Sequence, residues 1–280
     1  MKYKLIATDL DGTLNNDNYE VSYENVQAIK KAINVGIRVV LCSGRSPSSL
    51  HKYEEKLGLN TKGNYGIGFN GSTVYDSYTK KTLFGEVIPQ KLSIKILELI
   101  KDLSPKTLQA VYIDTNRMVA EHGLEEILAE YNPDGTVKID YYAKLTKEHI
   151  TGDVINMYCI NYRPKLEPLY QSLKKIDLGN CSMAFTSEHL LEFLPKDINK
   201  AQGIVKLCNH LNINMEDVVT VGDNYNDLEM IQESGYGMAV SNAVKPLKEI
   251  ASYITKHSNN NNAMVEVVDK VIELNKEAIL

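Results

Sequence analysis

Leu5-Ile6-Ala7-Thr8-Asp9-Leu10-Asp11-Gly12-Thr13 decides how the rest of the chain is read. The apolar run before Asp9 is short and unalternating, the pattern of a strand buried on both faces of a parallel sheet. It ends on two carboxylates, Asp9 and Asp11. In extended chain, residues two apart project to the same side. The reading therefore sets Asp9 beside Asp11, where mutual repulsion calls for a cation or a proton between them. Gly12 and Thr13 then let the backbone turn sharply. Taken alone, such a stretch also has an ordinary explanation, an Asx-turn at the end of a strand.

Two further apolar runs end on polar groups: Val39-Val40-Leu41-Cys42 runs into Ser43, and Val218-Val219-Thr220-Val221-Gly222 into Asp223. Ligands of an open parallel sheet bind at the carboxyl edge of its strands, and three strands delivering Asp9, Ser43 and Asp223 to that edge describe a site. Ser43-Gly44-Arg45 stands between a strand and a helix, where a hydroxyl and free backbone N–H groups hold an anion, although a plain helix cap is the everyday use of serine there. Gly222-Asp223-Asn224-Tyr225-Asn226-Asp227 adds two carboxylates at a helix start, again an ordinary capping pattern by itself. Together with Asp9 and Asp11 these acids would destabilise the edge without a metal, and magnesium suits a few carboxylates plus phosphate oxygens. Lys200 opens the helix before the Asp223 strand and is the candidate local positive charge.

Outward from these motifs the chain alternates strand and helix. A helix is expected from Ser22, with Val26, Ile29 and Ile33 on one face and Gly36 closing it, then a strand over Ile37–Cys42 and a helix from Ser48 to Lys56 stopped by Gly58. The last third alternates in the same way, with helix Ile198–Leu211, strand Val218–Val221, a helix from Leu228, strand Gly237–Val240, and helices over Ala243–Ala251 and Ala263–Leu274. This is an α/β chain with a doubly wound, Rossmann-like parallel sheet. The middle is different, with strands at Ala110–Asp114, Met118–Glu121 and Ile155–Asn161 between amphipathic helices at Leu92–Leu103 and Leu166–Leu173. It reads as an α+β module inserted into the first domain, giving a discontinuous core of 1–85 plus 190–280 and an insert of 86–189. Ser258–Asn262 reads as a solvated polar loop.

Composition narrows the function classes. The 280 residues carry a net charge of −5, with lysines and arginines scattered, so the basic footprint of a nucleic-acid binder is missing. Cys42, Cys159, Cys181 and Cys208 lie far apart without a CxxC pair, as expected of buried thiols in a reducing compartment. No run approaches the ~20 apolar residues of a membrane span. The expectation is a cytoplasmic protein with a small-molecule partner and neither nucleic acid nor membrane.

In this order and spacing, the motifs resemble those of the haloacid dehalogenase superfamily of phosphotransferases, and most nearly its Cof-type branch of sugar phosphatases with a large α/β cap. Asp9–Thr13 matches the first motif, Ser43-Gly44-Arg45 the second, Lys200 the third and Gly222–Asp227 the fourth; Phe69-Asn70-Gly71 and Gly237–Ala243 match secondary marks of the branch. The resemblance implies a magnesium-dependent phosphatase acting on small phosphate monoesters, sugar phosphates or phosphorylated cofactors, through an aspartyl-phosphate. It makes Asp9 the nucleophile and a magnesium ligand, and Asp11 the general acid and base, touching the metal through its backbone carbonyl. Asp223 would ligate magnesium with Asp227 steadying that shell, while the Leu10 backbone, Ser43, Gly44, Lys200 and Asn226 would hold phosphoryl oxygens. Two departures stand out: Ala201 follows the lysine where the family has glycine, and Asn259–Asn262 replaces an Asn-Glu-Asp-Gly-like stretch. A phosphomutase of the same superfamily, or a receiver-like signalling module phosphorylated on Asp9, remain the competing readings.

Overall fold

In the computed structural model, which describes residues 1–132, 135–185 and 189–278, the chain divides into two units. One comprises Met1–Phe84 with Asn199–Leu280, the other Gly85–Ile198.

The first unit is built on a five-stranded sheet in the order Tyr253–Ile254, Tyr236–Ala239, Val218–Gly222, Leu5–Thr8, Arg38–Leu41. All its pairings are parallel, with Ala7 opposite Thr220 on one side and Val40 on the other. Leu5–Thr8 is an interior strand, paired on both sides and wholly buried, which explains its unbroken apolar pattern. Tyr23–Asn34 packs against Ala263–Glu277. Ser22 caps the former by accepting the Asn25 N–H at 3.1 Å. Its buried face is Asn25, Val26, Ala28, Ile29 and Ala32. Ile33, expected on that face, is exposed, because Ala32 carries the last turn of the buried stripe. The next helix, Pro47–Leu57, is capped by Ser46 and closed by Gly58 at φ 73°. A three-stranded sheet of Tyr65–Gly68, Thr73–Asp76 and Thr82–Gly85 follows, its first two strands antiparallel, an element absent from the sequence-based expectation.

The second unit holds a six-stranded sheet in the order Cys181–Phe185, Leu190–Pro195, Asn156–Ile160, Leu108–Asp114, Arg117–Glu121, Lys138–Tyr142. Ile96, Leu97 and Ile100 from helix Gln90–Leu103, and Leu166, Leu169 and Leu173 from Arg163–Leu173, share one core with Val111, Val119, Met157, Leu191 and Phe193. The sequence places the end of the insert at 189. Leu190–Pro195 instead pairs antiparallel with both Asn156–Ile160 and Cys181–Phe185, so its hydrogen bonds hold it in the second unit, which runs to Ile198. Among the described residues no helix is long and apolar enough to cross a membrane.

Candidate functional site at the carboxyl edge of the parallel sheet

The chain leaves its first strand at Asp9 in extended conformation, φ −63° and ψ 161°. Leu10–Leu14 then coil into one wide turn, closed by the Asn15 N–H donating to Leu10 O at 2.8 Å. Leu10, Thr13 and Leu14 are buried and anchor the turn. Gly12 sits at φ +75°, and a Cβ there would lie 2.5 Å from Asp223 Oδ2. Only glycine fits that left-handed position so close to a carboxylate. Thr13 Oγ1 donates to Asp223 Oδ1 at 2.8 Å, tying the first motif to the fourth.

Lys200 reaches the same edge from the start of its helix. Asn199 caps that helix, accepting the Gln202 N–H at 2.9 Å, and Lys200 itself is fully buried. Its Nζ donates to Asp9 Oδ1 and to Asp227 Oδ1, both at 2.6 Å. Burial opposes its charge, but Asp227 and Asp9 outweigh burial, and its pKa is raised above that of a free lysine. Asp227 spends its other oxygen on the Asp223 and Asn224 N–H groups, at 2.9 and 3.0 Å. With both oxygens engaged, it braces the Gly222–Asp227 loop from behind.

Asp9, Asp223 and Asp227 each bring a carboxylate oxygen within 4.8 Å of the others. Burial, reinforced by the neighbouring Asp227 and Asp223 charges and opposed by Lys200, raises the Asp9 pKa well above the ordinary carboxylate value. Burial and Asp227 push Asp223 up to about 6. One lysine cannot neutralise three carboxylates. An all-oxygen donor set with excess negative charge fits a hard divalent cation such as magnesium.

Asp11 follows in the turn, beyond the end of the strand. Its carboxylate is held by Arg45, with Nε donating to Oδ2 at 2.6 Å and Nη2 to Oδ1 at 2.9 Å. The strand ends at Thr8, so Asp11 lies in the turn, where the alternation behind the same-side expectation no longer applies.

Ser43 is buried at the end of the neighbouring strand, its Oγ accepting the Arg45 N–H at 3.1 Å and its carbonyl accepting the Asn70 N–H at 3.0 Å. The Asn70 amide lies over Gly44, 3.2 Å from where a Cβ would stand. Asn70 Oδ1 accepts from Asn226 Nδ2 at 3.0 Å. Asn70 thus links the second and fourth motifs, a role its place in Phe69-Asn70-Gly71 did not reveal. Gly71, at φ +99°, permits the link: a Cβ would lie 2.1 Å from Asn199 O.

A sequence model of the haloacid dehalogenase-like hydrolase family matches residues 6–268. The chain belongs to that family. This hydrolase is 30% identical to a 5-amino-6-(5-phospho-D-ribitylamino)uracil phosphatase of Bacillus subtilis, over 90% of this chain and 89% of that protein. A second phosphatase of the same name and organism is 27% identical over 96% of this chain and 98% of its own. A solved haloacid dehalogenase-like hydrolase from Bacteroides thetaiotaomicron superposes with a TM-score of 0.86 at 28% identity, covering 96% of this chain and 100% of the other. With relatives so named, the hydrolase is an enzyme of the phosphatase type.

The hydrolase departs from expectation at Asn259–Asn262, which is not a merely solvated loop. Asn259 is buried. Its Nδ2 donates to Asn15 O at 3.1 Å and to Asp17 Oδ1 at 2.9 Å. Its N–H donates to Asn242 Oδ1 at 3.0 Å, and Asn242 Nδ2 donates to Gly12 O at 2.7 Å. Asn262 adopts φ 63°, a left-handed position that asparagine tolerates next best after glycine, which accounts for the missing glycine. Hydrogen bonds between segments so far apart in the chain are invisible to local composition. Asn259→Ala is expected to lower unfolding free energy by about 1–3 kcal/mol, the cost of stranding buried acceptors. Urea denaturation checks this, and an unchanged midpoint would make the loop a bystander.

Proposed function

We propose that the hydrolase removes phosphate from small phosphate monoesters through a covalent intermediate on Asp9. The reading rests on one observation: a fully buried Lys200 pinned between Asp9 and Asp227 at a strand edge, beside a third carboxylate. An oxygen of Asp9 attacks phosphorus in line as the bond to the leaving oxygen breaks. Asp11 gives a proton to that oxygen, then takes one from the water that splits the acyl phosphate. Lys200, the Ser43 hydroxyl, the Leu10 and Gly44 backbone and the Asn226 amide hold the equatorial oxygens, while Asp227 keeps Lys200 and the Asp223 loop in place. Asp9, Asp223 and the Asp11 carbonyl would hold magnesium, with Asp227 behind; the ion, when bound, supplies charge neutralisation between phosphate and nucleophile.

Substrates are phosphorylated sugars or phosphorylated cofactors, the class to which the names of the Bacillus subtilis relatives point. A cytoplasmic setting agrees with four free, buried cysteines, and neither nucleic acid nor membrane is a partner. A hydrolysis screen over phosphate esters with magnesium tests the assignment. Free phosphate must appear; isomerised ester without phosphate release would make it a phosphomutase.

Magnesium is expected to stabilise the fold as well as activate it. Asp223 titrates in the fold at about 6, above the carboxylate value of 3.8. The stability its proton confers is therefore full below the lower value and lost as pH rises through the upper one. At neutral pH and above, the cluster is charged and a cation relieves it. At a concentration of about 100 Kd, magnesium should raise the unfolding temperature by roughly 5–10 °C. The rise should shrink at about pH 5, where protons compete. Thermal unfolding with magnesium or EDTA on both sides of the Asp223 titration is the measurement, and identical curves would remove the metal from the account.

A further inference from the structure

Arg45 has no part in the chemistry just described, yet its surroundings are unusually specific. The guanidinium meets Asp11 through two donors, Nε and Nη2, at 2.6 and 2.9 Å. Its side chain is one-tenth exposed against about a third for Asp11. The Tyr19 and Tyr53 rings lie within cation–π range, with centroids 5.4 and 5.7 Å away. Asn15 Nδ2 gives Asp11 Oδ1 a further contact at 3.3 Å. The remaining guanidinium nitrogen, Arg45 Nη1, is buried without an acceptor.

We propose that Arg45 is a positioning residue: its two-pronged grip fixes the plane and direction of the Asp11 carboxylate, so that proton transfer to the leaving oxygen occurs from one defined orientation. The proposal rests on Asp11 acting as the proton donor. During phosphoryl transfer the phosphorus–leaving-oxygen bond breaks, the Asp9–phosphorus bond forms, and the proton passes from Asp11 to the departing oxygen. A planar fork sets a carboxylate's orientation; the single ammonium of lysine does not. Tyr19 and Tyr53 confine the fork in turn.

Leaving groups separate this role from phosphate binding or simple support. An alkoxide needs a proton to depart, whereas 4-nitrophenoxide leaves readily without one. The experiment measures kcat/KM with magnesium for 4-nitrophenyl phosphate and for an alkyl phosphate that the wild type hydrolyses. Arg45→Met should lower the alkyl value by about 10–100-fold and the nitrophenyl value by less than about threefold, with Arg45→Lys between Arg45→Met and the wild type. Thermal unfolding of both variants establishes that they are folded. Equal losses on the two substrates, or none on either, would overturn the proposal. Asp11→Asn runs alongside: if it shows the leaving-group split and Arg45→Met does not, only the positioning role falls. If Asp11→Asn shows no split, Asp11 is not the donor, and the proposal falls with that assignment.

Discussion

Asp9→Asn is expected to reduce phosphate release by at least about a thousandfold, a loss of the size seen when a covalent nucleophile is removed, while the protein stays folded. The amide keeps the shape of the carboxylate and an oxygen that accepts from Lys200, which retains its 2.6 Å partner Asp227. What disappears is the anionic oxygen that forms the bond to phosphorus. Burial has already raised the Asp9 pKa well above the ordinary value, so its charge is held at a cost to stability at neutral pH. A neutral isostere removes that cost, and the variant should unfold at the same temperature as the wild type or higher. Steady-state turnover of 4-nitrophenyl phosphate and a thermal melt settle both halves. Turnover within about tenfold of the wild type would end the aspartyl-phosphate reading, as would a beryllium fluoride adduct found on any other side chain.

Lys200→Met should act on stability and activity together. Lys200 is fully buried and is the cation shared by Asp9 and Asp227. Methionine fills much of the volume but leaves two buried carboxylates without their counter-charge, a change that costs about 3–5 kcal/mol in comparable pairs. Urea denaturation at neutral pH should show it, and the deficit should narrow on acidification as Asp9, with its raised pKa, takes up a proton. Combining Lys200→Met with Asp227→Asn should recover part of the loss, since it removes one of the stranded charges. A single-variant deficit below about 1 kcal/mol would mean that water or metal already balances the acids and that the lysine is not their keystone.

The elements that gather Asp9, Lys200 and Asp223 were legible because their signals are local. A central parallel strand must be apolar on both faces, so Leu5–Thr8 is recognisable without a partner, and so is the polar residue at which it stops. The Ser22 start and the Gly58 stop follow from the same short-range rules, which is why the helices they bound lie close to where the sequence puts them. Lys200, Asp9 and Asp223 converge because parallel strands present one common edge, a consequence of topology that alternating elements already imply.

Contacts between distant segments were decided by the tertiary structure alone. Nothing near Asn259 announces that it reaches Asn15 and Asp17, nor does Asn70 announce Asn226. The Arg45 partner of Asp11 escapes the pattern because two-residue alternation holds only while the chain remains a strand, and the strand ends at Thr8. The last strand of the inserted unit escapes it for a related reason. Leu190–Pro195 has the apolar pattern of either sheet, and only hydrogen bonding to Asn156–Ile160 and Cys181–Phe185 assigns it. Sequence by itself determined which polar residues end the strands and the edge they share, since strand burial and helix capping are local physics. Orientation, partners and unit boundaries depend on chain segments brought together from afar, and those only the fold decides.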